Sequence, residues 1–403
     1  MLRLFVSHIT HFQAGNGDVM HVKSLDGLRG IAALIVVFHH TLLCFPGTLE
    51  DYKTLFSYPV GSFMFWTYLT PLRLLTSGPS MVVLFFVMSG FVLGISFVKN
   101  DNFDYFSYII KRIFRIWFPF SVAIIVSFCF YLLLGGEVPS ASYWFNDYTW
   151  NDPSTIKTLF HHLIMDGSMT TLDNPMWSLI VEMRQSFIFP FIFYLIFRFG
   201  YLSVFTFVIL SFSMIFINRH VFGIHILSSI ISSLSYTYMF SFGAIMSLNY
   251  EKIKSNMNNI GKKYKYLILI FSLFGMCVYP ETAGANYSAR NFMLLFVSSI
   301  SSFALVCICF DFRVVTKLLD SRFAVWLGKI SYSLYLTHVI VYAVCIRLLD
   351  NFLSYPSSVF VSFFVAIFVA VIFNKYIETP SQKIGRSLGI QIEKAREAKL
   401  ASV

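Results

Sequence analysis

The chain has 403 residues, of which Lys+Arg 30 and Asp+Glu 20 make only 12% charged, against roughly 25% in ordinary soluble proteins. So few charges cannot coat a soluble surface, although the length alone would suit two or three domains of roughly 100–200 residues. A hydrophobic fraction of 57%, 47 Phe and a mean hydropathy of +0.70 fit helices whose solvent is hydrocarbon, and exclude disordered, collagen-like and disulfide-framework chains.

The opening MLRLFV, followed by SHITHFQAGNGD, lacks the apolar core of a secretory signal. Met20 directly precedes HVKSLDGLRG, so the first 19 residues read either as an extension or as sequence upstream of the true start. Beyond them, ten stretches approach the about 20 apolar residues that cross about 30 Å of hydrocarbon. They lie at about 28 to 45, 80 to 98, 113 to 135, 177 to 198, 201 to 218, 224 to 248, 265 to 280, 290 to 310, 327 to 349 and 357 to 378, the seventh being the shortest.

With the amino terminus inside the cell, 23 of the 30 Lys and Arg fall on cytoplasmic segments. Only Lys53, Arg73, Lys157, Arg219, Arg290 and Arg347 fall outside, and Arg184 lies within a span. Basic residues accumulate on cytoplasmic loops, so the expected fold is all-α: an integral membrane bundle of about ten transmembrane helices with both termini cytoplasmic. The expected organisation is a cytoplasmic extension at 1–23, the transmembrane domain at 24–380 and a basic cytoplasmic tail at 381–403. Topology accounts for the net charge of +10, so membrane lipids are expected partners and nucleic acid is not.

The longest external connection, about residues 136 to 176, is aromatic-rich rather than low in complexity and is expected to pack as a lid. Its Tyr143, Trp144, Tyr148 and Trp150 suit either a membrane-interface belt, the favoured reading, or stacking on a sugar ring. His161 and His162 in the same loop read as solvated or interfacial. The six cysteines lie in or beside apolar runs and read as reduced packing residues. No His-Glu-x-x-His, Cys-x-x-Cys or glycine-rich phosphate loop occurs, so no metal site is expected.

Ionisable groups inside a bilayer cost at least about 2.5–3.5 kcal/mol for a central Arg, which makes each a functional candidate. In SLDGLRGIAALIVVFHH, Arg29 and His40 are 11 residues apart; at about 100° per residue they share one helix face, separated by about 16.5 Å. Counting from the cytoplasmic ends, His338 and Ser89 reach depths of about 13.5 Å and about 12 Å, similar to His40, whereas Glu182 comes to about 24 Å, nearer the outside. Packing His and Ser residues would produce the same pattern. Arg184 is about 200° round the helix from Glu182 and is not its obvious partner.

DGLRGIAALIVVFHH resembles the first-span signature of the acyltransferase 3 family, an Arg, ten residues and a His, placed on Arg29 and His40. Four further elements are similar and occur in family order: FFVMSGFVLG at 85–94, the Arg-x-x-Arg of KRIFRIWFP as Arg112 and Arg115, WSLIVE at 177–182 with Pro190 following, and GKISYSLYLTH at 328–338. Each is weak alone, but five in order over about residues 24 to 380 are specific. One departure stands out: the motif carboxylate is kept as Glu182, but Arg184, Gln185 and Ser186 stand where the family continues with Gln and two aromatics. That difference bears on the acceptor pocket rather than on the type of reaction.

The resemblance implies a multi-spanning O-acyltransferase, an O-acetyltransferase of the bacterial inner membrane that moves an acyl group from cytoplasmic acyl-CoA, acetyl-CoA, to a hydroxyl of a saccharide or lipid-linked glycan such as O-antigen, capsule or exopolysaccharide. On that implication Arg29, Lys111, Arg112 and Arg115 hold the donor, and His40, Glu182 and His338 form the catalytic set. Arg112 and Arg115 lie one helical turn apart, so both guanidinium groups can face one polyanion, although ordinary cytoplasmic anchoring needs the same residues. A proton-coupled transporter is the competing expectation, since buried His, Glu and Arg also build proton relays.

Overall fold

The computed structural model describes residues 22–46, 60–62, 65–67, 70–98, 103–151, 155–220, 225–278 and 289–401. The extension up to residue 21, Lys53, Lys99 and the side chain of Arg219 lie outside the described residues. The helices are α1 (Lys23–Leu43), α2 (Gly78–Val98), α3 (Tyr105–Leu134), α4 (Tyr143–Tyr148), α5 (Ile156–Leu163), α6 (Met176–Phe199), α7 (Tyr201–His220) and α8 (His225–Leu234). They continue as α9 (Thr237–Leu248), α10 (Tyr250–Asn259), α11 (Lys262–Met276), α12 (Ala289–Ile308), α13 (Arg313–Leu319), α14 (Arg322–Leu349), α15 (Tyr355–Phe373) and α16 (Thr379–Ala401). A π turn at Ile113–Trp117 interrupts α3, and another at Asn374–Glu378 joins α15 to α16. No strand occurs among the described residues.

Among the described residues, eight helices are long and apolar enough to cross a membrane: α1, α2, α3, α6, α7, α12, α14 and the rod formed by α15 and α16. Their outward faces carry large apolar side chains. Phe360, Phe364 and Phe368 recur every four residues along α15 and are 65%, 53% and 66% exposed, a stripe that only hydrocarbon can solvate. The all-α membrane bundle expected from composition is thus the fold observed.

The other two expected spans take different forms. The segment at 224 to 248 is broken between α8 and α9, where the amides of Ser235 and Tyr236 turn back onto Ile231, Ser232 and Ser233. A broken helix inside a bundle is tolerated only where protein satisfies the freed backbone groups. Here the Arg184 guanidinium donates to Ser229 O at 2.8 Å, and Gln185 Nε2 donates to Ser233 O at 2.7 Å. The segment at 265 to 280 is realised as α11, whose 15 residues span about 22 Å.

The centre of the bundle is the packing of α1 against α14. A Cβ added at Gly30 would lie 2.3 Å from Gly328 N, and one added at Gly328 would lie 2.1 Å from Asp26 O. Only glycine lets the two backbones approach this closely, as small residues do at helix contacts in membranes. The α2–α9 contact repeats the device, with Gly90 against Phe240 O and Gly243 against Val87 O.

Gly30→Val is therefore expected to destabilise the protein by more than the about 1–3 kcal/mol of ordinary overpacking. The checks are loss of the monodisperse peak on size-exclusion chromatography in detergent and a lower melting temperature. Gly261→Ala, whose nearest neighbour would lie at 3.8 Å, should behave as wild type.

Candidate active site

The glycine contact aligns α1 and α14 in parallel register, and ten residues beyond Gly30 and Gly328 stand His40 and His338. Their rings meet, with His40 Nδ1 2.9 Å from His338 Nε2. His338 Nδ1 lies 2.8 Å from Tyr335 O and 3.1 Å from Leu334 O. Carbonyl oxygens only accept, so Nδ1 carries the proton and Nε2 of neutral His338 holds a lone pair. With both rings neutral, that lone pair accepts the Nδ1–H of His40, and His40 Nε2 is left with its lone pair free to take a proton. His338 is fully buried, whereas His40 is only partly so.

Ser89 Oγ donates to Glu182 Oε1 at 3.1 Å. The two therefore lie at one depth, which corrects the expected placement of Glu182 well outside Ser89; the ends of α2 and α6 are not level, so residue counts from those ends are not comparable. Tyr335 links this side of the bundle to the histidines: its ring lies edge-on to Phe85 at 5.9 Å, its hydroxyl is 2.6 Å from Ser178 Oγ, and its ring centroid is 6.0 Å from that of His338.

At the opposite end of α1, Arg29 donates to Gly328 O at 3.3 Å and pairs with Asp26 at 3.5 Å. A third of its side chain, 33%, remains accessible, while its buried Nε has no hydrogen-bond partner among the described residues. Arg115 is close enough to act electrostatically on both Arg29 and Arg112, and Glu182 acts on the same two arginines. Asp26 and Glu378 act on Arg29 as well, so three guanidinium groups stand against three carboxylates, and it is the orphaned Nε of Arg29, a donor left unused, that fits an anionic ligand. The π turn begins just after Arg112 and contains Arg115, and such widened turns recur at functional sites. Lys111 is engaged elsewhere: its ammonium lies 2.8 Å from Glu393 on α16, so the cluster consists of the three arginines without it.

The external connection folds over the histidine end. Ser142 Oγ donates to Leu43 O at 2.6 Å and its amide donates to Cys44 O at 3.1 Å, tying the start of α4 to the end of α1. Trp144 then stacks on His40, centroids 5.3 Å apart and planes 24° apart, a contact the reading of these aromatics as an interface belt did not anticipate. Trp150 is a core residue, 3% exposed, with Nε1 donating to Ser127 Oγ at 3.0 Å. Of the two histidines expected to be solvated or interfacial, His161 is partly exposed and His162 is buried. His161 is hydrogen-bonded to Asp166, and His162 is fully buried, with Nδ1 2.8 Å from Thr158 O and Nε2 accepting from Leu172 N at 3.2 Å. Arg184 reaches this loop too, donating to Asp166 O at 2.7 Å, which explains why it does not pair with Glu182.

These features define a multi-pass membrane protein with a histidine pair at one end of its first helix and an arginine cluster at the other. The family model described as an acyltransferase domain, of the acyltransferase 3 type, matches residues 22–375. The chain belongs to this family and is a membrane acyltransferase. Searches of curated proteins and of solved structures find no match.

The buried lid histidine makes the lid sensitive to acid. Burial, only partly offset by the Thr158 carbonyl and Asp166, holds the pKa of His162 below its ordinary value. A depressed folded-state pKa means that the unfolded lid takes up the proton first. The stabilisation is therefore complete above about pH 6.5 and is lost as the pH falls from there toward the lowered value. For Asp166, burial opposes ionisation, but His161 and Ser168 outweigh it and hold the carboxyl below its usual range, so its contribution is lost only below about pH 4. Hydrogen exchange across residues 156–173, corrected for intrinsic rates, should show protection falling below about pH 6.5, and His162→Gln should remove that step.

Proposed function

We propose that the protein transfers an acetyl group from acetyl-CoA to a hydroxyl of a saccharide, as part of a surface polysaccharide or its lipid-linked precursor, in a bacterial inner membrane. The observation that carries this reading is His40, whose Nδ1 is engaged by His338 Nε2 at 2.9 Å so that Nε2 keeps its lone pair, at the far end of the helix that carries Arg29. On this reading both termini and the arginine cluster are cytoplasmic, and Arg29, Arg112 and Arg115 hold the phosphates of the donor. For the thioester to reach His40, about 16 Å along α1, the fully buried Ala33 and Val36 on the same face have to give way.

The acceptor oxygen attacks the thioester carbonyl while His40 Nε2 takes the hydroxyl proton. Collapse of the tetrahedral intermediate breaks the C–S bond, and the departing thiolate takes the proton back from His40 to leave as CoA thiol. His338 keeps the other proton of His40 on Nδ1, so that the correct nitrogen faces the acceptor. Glu182, held by Ser89 and acting on Arg29 and Arg112, serves the proton path from the donor side rather than the acceptor at the far end of α1.

Membranes given radiolabelled acetyl-CoA should pass label into glycan. His40→Ala is expected to lower the rate about a thousandfold, within the range of general-base catalysis. Loss of the tautomer lock in His338→Ala should lower kcat about ten- to a hundredfold with little change in KM for the donor. Arg112→Ala or Arg115→Ala should instead raise that KM about ten- to a hundredfold, the size of a lost charge-assisted hydrogen bond. Normal transfer by His40→Ala would overturn the assignment of the base, and solute uptake without release of CoA would favour a transporter.

A further inference from the structure

We propose that Tyr148 and Trp144 form an aromatic platform that holds a pyranose ring of the acceptor with one hydroxyl at His40, and so select a sugar over water. The inference rests on the proposed transfer to a saccharide and adds the residues that recognise it.

Trp144 and Tyr148 are four residues apart on α4 and therefore share a face. Their rings lie 24° from parallel with centroids 6.3 Å apart, and Trp144 is itself 24° from parallel with His40. Trp144 thus has one neighbouring ring at the imidazole and another at Tyr148, which is 44% exposed on the surface of the lid. A pyranose offers a face of C–H groups to such rings while its hydroxyls project from the edge, where His40 Nε2 can receive a proton. A belt in the membrane interface would turn these rings toward lipid and gives no reason for stacking on a histidine.

The platform is held rigidly. Asn146 clasps Val138 through two hydrogen bonds of 2.9 Å, and the Arg347 guanidinium lies 4.9 Å from the rings of both Phe145 and Trp150. Arg347 also donates to Gly136 O and Thr149 O, each at 2.9 Å. A preorganised surface of this kind holds a ring without first having to order itself.

The test uses membranes that carry the native acceptor, with radiolabelled acetyl-CoA as probe. Label is read in two fractions: glycan, and free acetate formed when water replaces the sugar hydroxyl as nucleophile. Trp144→Ala is expected to lower the glycan-to-acetate ratio about tenfold, the upper size of a lost ring contact. Tyr148→Ala should lower it less, and Trp144→Phe, which keeps a smaller ring, should fall between Trp144→Ala and wild type, which separates loss of the ring from misfolding. The platform is overturned if Trp144→Ala lowers both fractions in proportion, since Trp144 then only covers His40, or if the ratio does not move in any variant. Absence of label from both fractions with wild-type protein would instead overturn the proposed acetyl transfer, and the platform with it.

Discussion

The structure depends on the approach of two backbones. In lipid, apolar side chains gain little by leaving one hydrocarbon surface for another, so helices are held by close packing and hydrogen bonds. Gly30 and Gly328 permit that packing for α1 and α14, and the bonds follow along the same seam. Arg29 reaches Gly328 O, Thr41 Oγ1 lies 2.6 Å from Tyr342 Oη, and Tyr342 donates to Val37 O at 3.3 Å. The separation of 298 positions that pairs Gly30 with Gly328 also pairs His40 with His338. A one-residue slip would turn one imidazole about 100° away. The site is therefore a property of helix register before it is a property of any side chain.

The arginine end uses the same economy of polar groups. The π turn at Ile113–Trp117 releases carbonyls from the helical ladder, and neighbouring hydroxyls take them: Tyr332 donates to Ile116 O at 2.7 Å, and Ser381 donates to Phe114 O. Glu378 accepts from Ser333 at 2.6 Å and from Asn374 at 2.8 Å, and so joins α14 to the junction of α15 and α16. The C-terminal helix is then strapped to α3 by Lys111 with Glu393 and by Arg396 with Asp104. Lys111 thus supports the wall against which Arg112 and Arg115 are presented.

Much of this was legible in the sequence. Apolar run lengths located the eight spanning helices, and the spacing of Arg29 and His40 placed both on one helix face. Equal depths for His40 and His338 were readable because both helices start near the same end, and the count failed for Glu182 because the ends of α2 and α6 from which it was made are not level. The break between α8 and α9 was hidden: its serines are neutral in hydropathy, and the groups that satisfy the freed backbone, Arg184 and Gln185, lie on another helix. The Trp144 contact was equally out of reach, since it depends on where the end of α1 receives the lid. The π turn that carries Arg115 leaves no mark on apolar periodicity that could have revealed it.

The anchoring of the lid bears on how such a site works. A transporter must close each end of its site in turn, which requires the two gates to move relative to the bound solute. Here α4 is tied to the last turn of α1 through Ser142, and Arg347 of α14 grips the loop on either side of it. The lid is thus fastened to the two helices that carry the histidines. Moving it as a gate would strain the seam that sets their register. A fixed lid suits a reaction in which donor and acceptor approach from opposite ends and only the acyl group crosses between them, with no solute carried through. On that reasoning the glycine seam, the histidine pair and the anchored aromatic helix form one mechanical unit, and a change that loosens the lid should disturb the histidine pair before it disturbs the arginine cluster about 16 Å away along α1.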